Sequence, residues 1–140
     1  MSHPDEPLFL PESKTLLIVD DSEANVAILL ELLSDYDLLV ALDGESALEM
    51  LAEEKVDLVL LDILMPGIDG YETCRRIKAQ PELSAIPVVF ITAETTPEAI
   101  DKAYEIGAVD YISKPFKPRE VVVRVDNHLT LQTLRQQLSG

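Results

Sequence analysis

The 140-residue chain has one cysteine, no tryptophan and two histidines. Cys74 has no second cysteine with which to close a disulfide or begin a zinc site. With only His3 and His128 present, a Ser-His-Asp triad would rest on His128 alone. Apolar runs such as Leu58–Leu61 are strand-length, far short of the roughly 20 residues that span a bilayer. Met1–Pro11 is acidic and proline-rich, unlike a secretory signal. No Walker pattern or GxGxxG is present, so no nucleotide site is visible. Bases are scarce as well: 11 Lys and Arg face 26 Asp and Glu, a net charge of −15. Residues 1–70 hold 17 acids and 2 bases, and residues 71–140 hold 9 of each. Such a chain repels nucleic-acid phosphates and anionic membranes, so neither is an expected partner. A single domain in a reducing cytoplasm is the expectation, with 47% hydrophobic residues to build its core.

What is present is a repeated order. Residues 1–13 contain Pro4, Pro7 and Pro11 and read as a flexible lead-in. Apolar runs follow at Thr15–Val19, Leu38–Ala41, Leu58–Leu61, Pro87–Ile91 and Val109–Ile112. Helical patterns alternate with them. Ser22 caps the first, whose stripe is Val26, Leu29, Leu30 and Leu33. Ala47, Leu48 and Leu51 mark the second. Gly70–Ala79 forms the third, with Cys74 and Ile77 inward. Pro97 opens the fourth and Gly107 closes it. The last runs from Pro118 to Leu138. Strand–helix five times over, with continuous rather than alternating apolar strands, predicts an α/β fold: a doubly wound five-stranded parallel sheet between two helix layers. Its site belongs at the carboxyl ends of the strands.

Polar groups stand at those ends. Asp20 and Asp21 end the first run, Asp62 the third and Thr92 the fourth, and Lys114 closely follows the fifth. Three clustered carboxylates repel, so one takes up a proton unless a cation joins them. Oxygen ligands without His or Cys suit a hard cation, Mg²⁺ in a cell. Carboxylates, a metal, a lysine and a hydroxyl are the parts that phosphoryl transfer uses.

Four motifs, each at the end of an apolar run, resemble the receiver domain of two-component response regulators: VDDS at 19–22, LDILMPGIDG at 61–70, ITA at 91–93 and YISKPF at 111–116. ALDGESAL at 41–48 is similar to the family's second strand and turn. The resemblance covers residues 14–129. It implies the flavodoxin-like (βα)5 fold with strand order 2-1-3-4-5. It makes Asp62 the phosphoacceptor, Asp21 a direct Mg²⁺ ligand, Asp20 a ligand largely through water, and the Leu64 backbone carbonyl a third protein position. Lys114 and Thr92 would meet phosphoryl oxygens. Tyr111 would be the aromatic that turns inward as Thr92 moves. The Lys114–Pro115 bond would be cis. Partners implied are a histidine kinase or histidine phosphotransfer protein, docking where Ile28 and Leu32 lie on the first helix. The protein would catalyse its own phosphorylation and dephosphorylation. Leu64 and Glu94, two residues after Asp62 and Thr92, flank the path of a hydrolytic water in relatives.

Two other readings stand beside this one. An inert module would keep the fold without the chemistry. A haloacid-dehalogenase-like phosphatase would need a second Asp two residues after the first, where Leu64 stands. His128 lies in DNHLTLQ, without the acid that usually follows a phosphoaccepting histidine, and reads as an ordinary last-helix residue. Leu131, Leu134 and Leu138 repeat at spacings of 3 and 4, so residues 130–140 read as a linker or the start of a coiled coil that would make a homodimer, with an ordinary amphipathic tail as the competing reading.

Overall fold

The computed structural model describes residues 9–139. Its strands are β1 (Thr15–Val19), β2 (Asp37–Ala41), β3 (Leu58–Asp62), β4 (Val88–Thr92) and β5 (Asp110–Ser113). They alternate with α1 (Glu23–Leu32), α2 (Gly44–Glu53), α3 (Gly70–Ala79), α4 (Pro97–Ile106) and α5 (Pro118–Ser139). All pairings are parallel and the order is 2-1-3-4-5. The expected doubly wound sheet is therefore the fold. β3 and β4 are buried at every position, as continuous apolar runs covered on both faces require.

The side chains of successive strand residues feed two cores. Leu17, Val19, Val59, Leu61 and Phe90 pack with Ala47, Cys74 and Ile77 of α2 and α3. Leu16, Ile18, Leu58, Leu60 and Ile91 pack with Leu29 and Val125 of α1 and α5. The two-residue period of the strand divides the apolar run between the layers.

Local chemistry sets where the helices start. Ser22, Asp43, Asp69 and Thr96 each accept a backbone N–H from the first turn of α1, α2, α3 and α4, which satisfies donors that the helix itself leaves open. All four caps lie in loops that follow strands, so the helix amino ends gather at the carboxyl edge of the sheet. Gly107 ends α4 at φ +123°, a left-handed value that glycine takes without a Cβ penalty.

Three local features differ from the sequence reading. Thr92 lies within β4, and β5 begins one residue later than expected. A 3-10 turn at Pro11–Ser13 and the packing of Phe9 against the α1/α5 core give structure to the end of the lead-in; residues 1–8 lie outside the described residues. On α1, Leu30 is exposed and Leu32 packs partly against the core. Both flank the buried arc of Val26, Leu29 and Leu33, and the neighbouring elements, not the helical period, decide which is covered. Thus Ile28 presents its side chain outward, at 44% exposure, while Leu32 does so only in part.

Contacts between α5 and the rest of the domain run past residue 129. Gln132 donates to the Asp57 carbonyl at 2.8 Å, and Thr133 is buried. Leu131, Leu134 and Leu138 are exposed. Elsewhere, the Lys78 ammonium donates to the Ser84 and Ile86 carbonyls at 3.0 and 2.7 Å, fastening the α3–β4 connection. Burial pushes this ammonium below its ordinary pKa. Lys78→Met leaves both carbonyls without that donor and is expected to cost about 1–3 kcal/mol. Urea unfolding checks this; an unchanged midpoint would refute the role.

Candidate functional site

Parallel alignment brings the ends of β1, β3 and β4 and the loop after β5 together. Ligand oxygens of Asp20, Asp21 and Asp62 all lie within 4.8 Å of one another. Asp20 is fully buried and Asp62 is 4% exposed, whereas Asp21 faces solvent. The Lys114 ammonium stands 3.1 Å from Asp62 Oδ1 and 3.7 Å from Asp20 Oδ2. The Lys114 backbone N–H donates to the Thr92 carbonyl at 2.9 Å, which ties the β5–α5 loop to the end of β4. The Lys114–Pro115 bond is cis, as the resemblance implies.

Burial is the main force raising the Asp62 carboxyl above its ordinary pKa. The Lys114 hydrogen bond and charge oppose it, and the charges of Asp20 and Asp21 add to it. One ammonium facing three carboxylates leaves negative charge uncompensated, an arrangement suited to a hard divalent cation held by oxygens.

Asp20 is held on both oxygens. Oδ1 accepts the Ser22 backbone N–H at 2.9 Å, and Oδ2 accepts the Asn25 side-chain amide at 3.3 Å. Gly70 opens α3 directly against β3: its N–H donates to the Ile63 carbonyl at 2.8 Å. A Cβ at Gly70 would fall 2.3 Å from the Asp62 carbonyl oxygen. Asn25 does not stand out in the sequence as a site residue, its only signal being an amide five residues after Asp20, and Gly70 is visible only as the residue that closes the LDILMPGIDG motif.

Thr92 is at the expected place, with its hydroxyl engaged locally. Oγ1 accepts the Glu94 N–H at 2.9 Å and donates to the Glu94 carbonyl at 3.1 Å. Tyr111 is half-buried against the α2/α3 core, and the Arg124 guanidinium lies 5.0 Å from its ring centre. Arg124 also binds Asp110 at 2.5 Å, and His128 Nε2 lies 2.9 Å from the other Asp110 oxygen. Burial alone would raise the Asp110 carboxyl, but the hydrogen bonds from His128 and the Tyr111 N–H and the Arg124 charge hold it below its ordinary value. His128 is thus tied to β5. The Leu64 side chain is 75% exposed beside the cleft.

The cleft between Asp62, Leu64, Tyr71, Thr92, Glu94 and Lys114 has a volume of about 320 Å³. A larger groove of about 970 Å³, bordered by Val56, Leu83, Pro87 and Gln132, contains none of the grouped acids, Thr92 or Lys114.

Residues 16–126 match the family model described as response regulator receiver domain. The chain belongs to that family. It is 43% identical over 117 residues to the alkaline phosphatase synthesis transcriptional regulatory protein PhoP of Bacillus subtilis, covering 81% of this chain and 47% of that protein. It is 45% identical over 116 residues to a Vibrio cholerae protein named "Probable cyclic di-GMP phosphodiesterase", covering 82% of this chain and 26% of that one. The chain therefore spans less than half of either relative. Among solved structures, the signal receiver domain of a signal transduction histidine kinase from Syntrophus aciditrophicus matches with a TM-score of 0.77 and 34% identity, over 84% of this chain and 90% of that one. The signal receiver domain of an HD domain-containing protein from Pseudomonas fluorescens matches with a TM-score of 0.82 and 28% identity, over 95% and 98%. Receiver domains generally use Mg²⁺ at an acidic Asp pocket, and this receiver has such a cluster. No described helix is long and apolar enough to cross a membrane.

Proposed function

We propose that this receiver accepts a phosphoryl group from a phosphohistidine onto Asp62 and changes conformation to control a partner or attached domain. The observation that carries the reading is Lys114 Nζ at 3.1 Å from Asp62 Oδ1, beside the clustered Asp20 and Asp21. In the transfer, an Asp62 carboxylate oxygen attacks phosphorus. The phosphorus–nitrogen bond of the donor breaks, and the imidazole leaves with the electron pair and takes up a proton. Asp20, Asp21, Asp62 and the Leu64 carbonyl would hold Mg²⁺, which when bound would supply positive charge to the phosphoryl oxygens. Lys114 stabilises charge on one phosphoryl oxygen, and Thr92 donates to another after its hydroxyl leaves Glu94. Tyr111 turns inward with that movement.

The donor in this reading is a histidine kinase or histidine phosphotransfer protein that docks on α1, with Ile28 as the more exposed of the two candidate contacts and Leu32 at its margin. The protein acts in the cytoplasm without binding nucleic acid directly. Residues 130–139 continue α5, and the segment 130–140, whose last residue lies outside the described residues, serves as a linker or, through Leu131, Leu134 and Leu138, as a seam for a homodimer. The full set Asp20, Asp21, Asp62, Thr92 and Lys114 argues against an inert module. An exposed Leu64 argues against the phosphatase reading, which needs a second acid there.

Incubation with a small acyl phosphate and Mg²⁺, followed by intact-mass measurement, is expected to give one phosphoryl adduct per chain. The adduct should disappear when the cation is chelated. No adduct with either a small donor or a phosphohistidine protein would overturn the proposal.

A further inference from the structure

We infer that Asn25 is a positioning residue for the cation: its side-chain amide fixes Asp20 while leaving that carboxylate its charge. The inference rests on the reading of Asp20, Asp21 and Asp62 as the Mg²⁺ site. Asp20 is fully buried, and a buried carboxylate demands donors. It has the Ser22 N–H on Oδ1, and on Oδ2 the Asn25 amide at 3.3 Å with the Lys114 ammonium at 3.7 Å. Asn25 is therefore the neutral partner of an oxygen that also has a cationic neighbour.

That difference matters chemically. An ammonium bonded to Oδ2 would satisfy Asp20 by cancelling the charge a metal needs. An amide donates a hydrogen bond and brings no net charge. By occupying an acceptor direction of Oδ2, Asn25 leaves Lys114 directed to Asp62, where its separation is shorter, at 3.1 Å. The backbone helps to aim the amide. The Asn25 N–H is bonded to Ser22 Oγ, the cap of α1. Asn25 is thus fixed at its main chain and at its side chain to the two residues that flank Asp21. Groups that orient metal ligands from behind typically contribute 10–100-fold to metal affinity.

The test compares wild type, Asn25→Ala and Asn25→Leu by calorimetric Mg²⁺ titration, with Asp21→Ala as a site control and metal-free thermal unfolding as a separate reading. Both Asn25 variants are expected to bind Mg²⁺ about ten-fold more weakly while unfolding cooperatively without metal. A purely structural role would lower the metal-free melting temperature without moving the Mg²⁺ affinity, and that result overturns the inference. Unchanged affinity and melting temperature overturn it equally. A wild type that binds no Mg²⁺, or an Asp21→Ala variant that binds as wild type does, removes the metal-site reading and the inference with it.

Discussion

Asp62→Asn is expected to abolish the phosphoryl adduct and, at neutral pH, to raise the melting temperature of the metal-free protein. The adduct is lost because an amide does not replace the carboxylate nucleophile. The gain in stability follows from the environment of Asp62. Burial, aided by the charges of Asp20 and Asp21 and opposed by Lys114, holds its carboxyl above the ordinary value of 3.8. The folded protein therefore binds this proton more tightly than the unfolded chain does. Below the ordinary value both states are protonated and the ionisation penalty is absent. As pH rises from there through the raised folded value, the folded state loses stability relative to the unfolded chain. Asn is neutral throughout, so its advantage opens across that window and persists above it. Melting curves of both proteins in chelator, from acid to neutral pH, check the sign. Equal differences at all pH values would refute this account. Mg²⁺ is expected to narrow the gap by stabilising the wild type.

Gly70→Ala is expected to be the most damaging single-methyl change at the site. Its added Cβ would stand 2.3 Å from the Asp62 carbonyl oxygen and 2.7 Å from Ile63 Cα. Both are backbone atoms, one of them in the fully buried β3, so no side chain can swing away. Overpacking of this kind costs about 1–3 kcal/mol, and more where the surroundings are rigid. Relief requires α3 to move away from β3, which displaces Asp62 from Lys114. Urea midpoint and adduct yield should fall together. Gly67→Ala is a useful comparison: open space surrounds that position, and only its φ of +78° resists a side chain, a penalty of about 1–2 kcal/mol. A Gly70→Ala protein as stable as wild type would show that the β3–α3 connection yields more easily than its packing implies.

The legibility of the chain divides along physical lines. The three inner strands are visible because TLLIV, LVLL and PVVFI have no polar interruption, the mark of burial on both faces. The grouping of Asp20, Asp62, Thr92 and Lys114 follows once the strands are parallel, since parallel strands end on one edge. α1 is harder to read, with apolar side chains at positions 26, 28, 29, 30, 32 and 33 around much of its circumference. Which of Leu30 and Leu32 is covered depends on tertiary neighbours. Asn25 escapes notice, and Gly70 is seen only as the end of the LDILMPGIDG motif, for a related reason. Their importance lies in contacts with Asp20 and with the β3 backbone, and nothing in the residue types alone announces those contacts. The hydroxyl of Thr92 illustrates the same limit: its place at the strand end is legible, while its bonds to Glu94 are a property of the loop.

Those two bonds bear on the energetics of signalling. In the proposed mechanism Thr92 cannot serve a phosphoryl oxygen and Glu94 at once, so the 93–96 loop and the acceptor compete for one hydroxyl. Competition of this sort is reciprocal. A protein that grips the loop in its released form makes phosphorylation more favourable by the same free energy with which phosphorylation strengthens its grip. One that clasps the loop as it stands here draws the equilibrium towards the unmodified acid. The loop is then a place where a downstream partner reports its presence back to the acceptor, without touching Asp62.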